Sequence, residues 1–227
     1  MMGDASTGEI HLGGIQLTST GVTGGVDEAQ LAAEFSTRHY VRFPRLIAPA
    51  LLGRVQARLR DGEWVPKSHG GIKEEIVLPD PLALHLLAML TNREPFLRLI
   101  ERITGCPPLQ LYYGRVYRML PGGEHFDSWH DDLFEEEGRV VGMSINLGEE
   151  PYTGGVFRMR DRATKTVIAE VPNTGPGDAT VFRIGPALQH MVTAVEGDFP
   201  KTEFAGWFRS KGEGYANSMR AVMRQGN

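Results

Sequence analysis

The sequence predicts an α+β protein with its helices ahead of an all-β C-terminal half. Three observations carry that expectation. From Pro49 to Ile103 apolar residues recur at helical spacing behind proline-marked starts. From Leu109 to Phe208 they fall in short runs separated by Gly, Pro and Asn turns. A length of 227 residues is enough for one sizeable core, and a single domain over 28–227 is the simplest organisation.

The elements follow in chain order. Met1 to Asp27 is rich in Gly and Thr with little apolar periodicity, so it is expected to be a flexible arm without chemistry. Tyr40 to Leu46 has a strand pattern, after which Pro49 opens a helix carrying Leu51, Leu52, Val55 and Leu59 on one side. Pro81 and Pro95 mark two more helix starts, the first with Leu86, Leu87 and Leu90, the second with Phe96, Leu99, Ile100 and Ile103. Gly105, followed by Pro107 and Pro108, ends the last of them. The helical part thus spans 40–105 and the strand-rich core 109–209.

Composition excludes several function classes. Twenty-four basic against 28 acidic residues give a net charge of −4, which offers no field for a nucleic-acid backbone. The single cysteine, Cys106, excludes an intrachain disulfide and fits a reducing compartment. No basic segment followed by an apolar run opens the chain, and no stretch of about 18 apolar residues occurs, so no membrane span is expected and the cytoplasm is the expected location.

The chemistry-bearing motif is Trp129-His130-Asp131-Asp132, with His190 downstream. Period-2 alternation at a strand end sends His130 and Asp132 to one side and Asp131 to the other. Two imidazoles and one carboxylate can occupy one face of an octahedral metal and leave three positions open, the ligand set of non-haem Fe(II) oxygenases. A tripeptide of this kind recurs by chance, and the bland alternative is a pair of hydrogen-bonded histidines in a β domain. A rival also exists, because His125-Phe-Asp127 has the same spacing. The later pair is preferred because Trp-His directly precedes the carboxylates, leaving His125 and Asp127 as rim or turn residues.

Context adds Tyr117-Arg-Met-Leu-Pro121-Gly122, Tyr152-Thr-Gly154-Gly155-Val-Phe157, Gly177-Asp178-Ala-Thr-Val181-Phe182 and Gly206-Trp207-Phe208. In this order, over 109–209, the sequence resembles the Fe(II)/2-oxoglutarate-dependent dioxygenases, most closely their prolyl-hydroxylase-like branch. The resemblance implies a double-stranded β-helix, the jelly roll also found in cupins, supported by the N-terminal helices. It implies Fe(II) held by His130, Asp132 and His190, with 2-oxoglutarate and O₂ as cosubstrates and release of succinate and CO₂. The substrate would be an amino acid, a peptide or a small metabolite hydroxylated at a C–H bond. An occupied carboxylate position at Asp132 is the pattern of hydroxylating rather than halogenating members.

For the far carboxylate of 2-oxoglutarate the resemblance points to Lys201, a point-charge donor that needs helpers, which would be Tyr117 and Asn146. Glu203 departs from the pattern, since many relatives carry Ser there. An acid at that place is expected to weaken cosubstrate binding unless it turns away. Arg158 and Arg160, alternating on one strand face, are either an anionic-substrate grip or part of a solvated charged run, and Arg209 is a strand-end charge. The competing function class is a cupin-like metal-binding jelly roll without oxygenase activity. Lys201, at its interval before Gly206-Trp207, speaks against that class.

Overall fold

The computed structural model describes residues 14–69, 72–77, 81–122, 126–133, 137–172 and 174–212. Its N-terminal part runs β1 (Gln16–Leu17), β2 (Val22–Thr23), α1 (Glu28–Arg38), β3 (Tyr40–Phe43), α2 (Pro49–Arg60), β4 (Val65–His69), β5 (Ile72–Val77), α3 (Pro81–Thr91) and α4 (Glu94–Thr104). Strands follow: β6 (Leu111–Met119), β7 (Asp127–His130), β8 (Arg139–Asn146), β9 (Thr153–Gly154), β10 (Phe157–Asp161), β11 (Val167–Val171), β12 (Ala179–Arg183), β13 (Leu188–Val192), β14 (Val195–Glu196) and β15 (Lys201–Arg209).

Local chemistry explains the helix limits. Prolines stand in the first turn of α2 and α4, where a missing N–H costs nothing. Gly105 closes α4 in the left-handed conformation, donating its N–H to Glu101 O. Helix α1 was not foreseen; Asp27 caps it by accepting the Gln30 N–H at 2.9 Å, and Phe35 anchors it. On α4 the apolar stripe Phe96, Leu97, Leu99, Ile100 and Ile103 is buried, with Phe96 between the rings of Phe43 (6.4 Å) and Phe208 (6.1 Å).

The main sheet is antiparallel and ordered β11-β10-β13-β7-β5-β6-β15-β8-β12-β3, with β4 paired to β5. Its central strand β15 lies between β6 and β8. Alternation along β15 separates two environments. Phe204 and Phe208 are buried in the cluster shared with the helices, including Leu87, Phe96, Ile100 and Val116. Lys201, Glu203, Ala205 and Trp207 line a cavity on the opposite side.

Two expectations need correction. Residues 14–27, assigned to a flexible arm, form the β1–β2 hairpin, and Ile15 (4 % exposed) and Leu17 (0 %) belong to the core. Leu17 is tied to the chain entering α2 by Leu17 N–H to Leu46 O (2.6 Å) and Ala48 N–H to Leu17 O (3.1 Å). Two apolar residues are too few to show a period, so only their tertiary partners reveal them. Residues 1–13 of the expected arm lie outside the described residues. The second correction concerns order, because strands from the helical half enter the main sheet. β3 flanks β12, and β5 is inserted between β6 and β7.

Candidate metal centre and its pocket

His130 ends β7 and stands directly opposite His190 on β13. This pairing brings the two rings to 4.3 Å between centroids. Two residues past the strand end, Asp132 completes the group. One donor atom from each of His130, Asp132 and His190 can be chosen so that all lie within 4.8 Å of one another. Asp132 Oδ1 is 3.4 Å from His130 Nε2, and Asp132 Oδ2 is 3.2 Å from His190 Nε2.

Further residues fix these donors in place. His130 Nδ1 lies 2.7 Å from the Ser128 carbonyl and 3.2 Å from Asp127 Oδ1, which leaves Nε2 directed at the group. A second nitrogen held by a carbonyl or carboxylate is how a metal-binding imidazole is oriented. The indole N–H of Trp207 donates to Asp132 Oδ2 at 2.6 Å. On its apolar flank His190 stacks on Phe157 (5.5 Å) and packs against Phe182 (5.0 Å). Phe182 in turn lies over Gly142, where an added Cβ would come within 2.2 Å of the ring.

The electrostatics suit a cation. Burial lowers the affinity of His130 for a proton, but hydrogen bonds to Asp127 and Asp132 outweigh it and push the imidazole up to about 10. Burial raises the Asp132 carboxyl, yet bonds from His130, His190 and Trp207 hold it well below the usual carboxylate range. The cluster therefore favours positive charge at its centre. A divalent ion bound by two neutral imidazoles and one carboxylate meets that demand without the proton.

The rival pair is resolved in part. His125 lies outside the described residues, whereas Asp127 contacts the back of His130 and lines the cavity. Its role next to the ligand, like that of Trp207, was missed. For Trp207 the available signal was its place on the Lys201 face of β15. For Asp127 spacing gave none, since alternation turns it away from His130 and only the register irregularity between β7 and β13 brings the two together.

The cavity has a volume of about 380 Å³ and is lined by the three candidate ligands and also by Tyr117, Lys201 and Glu203. Lys201 and Glu203 are each 4 % exposed. Lys201 Nζ donates to Gly155 O at 2.8 Å and sits 3.2 Å from Glu203 Oε1. The Tyr117 hydroxyl donates to Glu203 Oε2 at 2.7 Å. Gly155 has φ +58°, and a Cβ there would come within 2.9 Å of Lys201 Cδ, so this approach of backbone to lysine requires glycine. Burial, with a contribution from the Glu203 charge, pushes the nearby Tyr152 hydroxyl far above its ordinary range.

Other expected contacts go elsewhere. Asn146, assigned to the cosubstrate, is buried at the end of β8 with its amide donating to Thr174 O (2.6 Å) and its oxygen accepting from Gly148 N–H (2.8 Å). It ties two loops together and does not line the cavity. Arg158 pairs with Glu170 at 2.8 Å, and Arg160 bonds Gln189 and lies over the Trp129 ring at 4.2 Å. The guanidinium groups on the cavity are those of Arg115 and Arg139. Arg139 stacks on Trp207 at 3.6 Å and pairs with Glu137 at 3.0 Å. Arg209 also reaches Glu137, at 2.5 Å.

No family model matches the sequence, and no curated protein matches it. Solved structures do match. An oxidoreductase of the 2OG-Fe(II) oxygenase family from Burkholderia pseudomallei is 20 % identical, with a TM-score of 0.61 over 84 % of this chain and 94 % of that one. A prolyl-4-hydroxylase from Pseudomonas putida is 20 % identical, with a TM-score of 0.61 over 82 % of this chain and all of that one (100 %). The non-heme alpha ketoglutarate dependent epimerase SnoN from nogalamycin biosynthesis is 17 % identical, with a TM-score of 0.61 over 80 % of each chain. The chain thus has the jelly-roll fold of these oxygenases, prolyl hydroxylases included, as its motif order implied.

Proposed function

We propose that this chain is a non-haem Fe(II)- and 2-oxoglutarate-dependent oxygenase that hydroxylates a C–H bond of an amino acid, peptide or small metabolite. One observation carries the reading: a two-histidine, one-carboxylate cluster on a cavity that also holds a buried lysine. His130, Asp132 and His190 would hold the metal. Fe(II) held there would supply, with 2-oxoglutarate and O₂ as cosubstrates, the oxidising chemistry that has succinate and CO₂ as its co-products.

The remaining work falls to the chain's own groups. Asp127 and Ser128 orient His130, and Trp207 holds one oxygen of Asp132. Phe157 and Phe182 exclude water from the flank of His190. Lys201 is the cation for the far carboxylate of the cosubstrate, with the Tyr117 hydroxyl as the second donor. Among the neighbours, a prolyl hydroxylase from Trichoplax adhaerens is in complex with a peptide fragment and SnoN with a nogalamycin compound, which supports a peptide or small-molecule substrate here. The net charge of −4 does not support a nucleic-acid substrate. Among the described residues no helix is long and apolar enough to cross a membrane. A single cysteine whose thiol is pushed up by burial supports a packing role in a reducing, cytoplasmic setting.

The test is anaerobic addition of Fe(II) and then 2-oxoglutarate to the purified protein. A weak visible charge-transfer band that needs both additions is the expected result. Metal binding with neither that band nor 2-oxoglutarate affinity would support the cupin-like alternative.

A further inference from the structure

Lys201, the group that the cosubstrate reading depends on, already has a carboxylate. Glu203 does not turn away from it: Glu203 Oε1 is 3.2 Å from Lys201 Nζ, and Oε2 accepts the Tyr117 hydroxyl at 2.7 Å. Both residues are 4 % exposed, so water contributes little screening. The lysine also donates to Gly155 O. The two donors assigned to the far carboxylate of 2-oxoglutarate are thus the two donors that Glu203 engages.

We propose that Glu203 is a built-in competitor of the cosubstrate, an internal carboxylate that must yield Lys201 and Tyr117 before the far carboxylate of 2-oxoglutarate can bind them. The inference rests on the 2-oxoglutarate reading and adds the residue that sets cosubstrate affinity and selectivity. Its physical basis is like-charge repulsion. Two carboxylates sharing one ammonium in a buried site oppose each other, and their repulsion is subtracted from the attraction that the lysine offers. A 2-oxo acid of equal length without the far carboxylate, 2-oxopentanoate, meets no such opposition. Wild-type protein should therefore discriminate poorly between the two acids, and removal of the Glu203 charge should restore discrimination.

The experiment uses the full chain loaded with Mn(II) and measures binding of 2-oxoglutarate and 2-oxopentanoate by calorimetry and by ligand-induced thermal shift. Glu203→Gln keeps the shape and an acceptor for Tyr117, and Glu203→Met keeps the approximate volume without charge, so either variant can carry the test if the other does not fold. The expected result is tighter 2-oxoglutarate binding by about tenfold or more, with 2-oxopentanoate little changed. Lys201→Ala should move 2-oxoglutarate affinity in the opposite direction. Equal or weaker 2-oxoglutarate binding by the folded Glu203 variants, alongside measurable binding by the wild type, overturns the proposal and leaves the cosubstrate reading in place. Failure of every protein to bind 2-oxoglutarate while all bind Mn(II) overturns both.

Discussion

Phe204 and Phe208 on one face of β15 and Lys201, Glu203 and Trp207 on the other belong to the same nine-residue strand, yet they are held by different physics. The phenylalanines are 1 % and 0 % exposed among rings and aliphatic chains, with Phe208 at 4.8 Å from Tyr112 and Phe204 at 5.4 Å. Their contribution scales with buried area and has little directional demand. The opposite face is polar, and its groups depend on directional contacts to named partners: Trp207 on Asp132, Lys201 on Gly155 and Glu203, Glu203 on Lys201 and Tyr117. One face carries stability and the other carries geometry, so substitutions on the two faces should register in different measurements.

The largest effect is expected at the ligands. His190→Ala should abolish stoichiometric binding of Fe(II) or Mn(II) and all metal-dependent turnover, with an unchanged far-UV circular dichroism spectrum. Full metal binding by that variant would dissolve the site and the comparison together. Next comes Phe208→Ala, which should cost roughly 3–5 kcal/mol of stability through lost burial and a residual cavity. In denaturant melts it should lose that much, while metal affinity measured well below the transition stays at the wild-type value. A large fall in metal affinity would mean that the faces are coupled and not separate.

Trp207→Phe sits between the two. It keeps the aromatic bulk and removes the N–H that holds Asp132 Oδ2, so metal affinity should fall by about 10- to 100-fold, as for other groups that orient a ligand. Stability in the absence of metal should drop by only about 1 kcal/mol, the net worth of one hydrogen bond. The smallest effect belongs away from both faces. Arg158 and Glu170 are half-exposed partners, and Arg158→Ala should change stability by no more than about 1 kcal/mol and leave turnover intact. A substantial loss of turnover would return Arg158 to the substrate site from which its geometry removes it.

Local pattern made much of this protein legible in its sequence. Proline starts and the Gly105 stop delimit α2, α3 and α4 because these residues act on their own turn of backbone, with no distant partner required. Alternation placed His130 and Asp132 together and, applied to β15, puts Lys201 and Glu203 on one face. That shared face keeps Glu203 beside the lysine, the arrangement in which an acid there is expected to weaken cosubstrate binding. Composition carried the expectation against a nucleic-acid partner, since net charge is a property of the whole chain whatever its fold.

Tertiary structure alone decided the rest. Nothing local states that β13 pairs with β7, which sets His190 opposite His130, or that β5 comes between β6 and β7. Asn146 has the polarity and pleat position of a pocket residue, but the loops bearing Gly148 and Thr174 lie within reach and satisfy its amide first. Ile15 and Leu17 look like part of a polar arm until the chain before α2 supplies their partners. A residue's own neighbours determine its conformation and the side to which it points. Which partner waits on that side depends on segments far along the chain, and that is settled only when the sheet packs and brings those segments together.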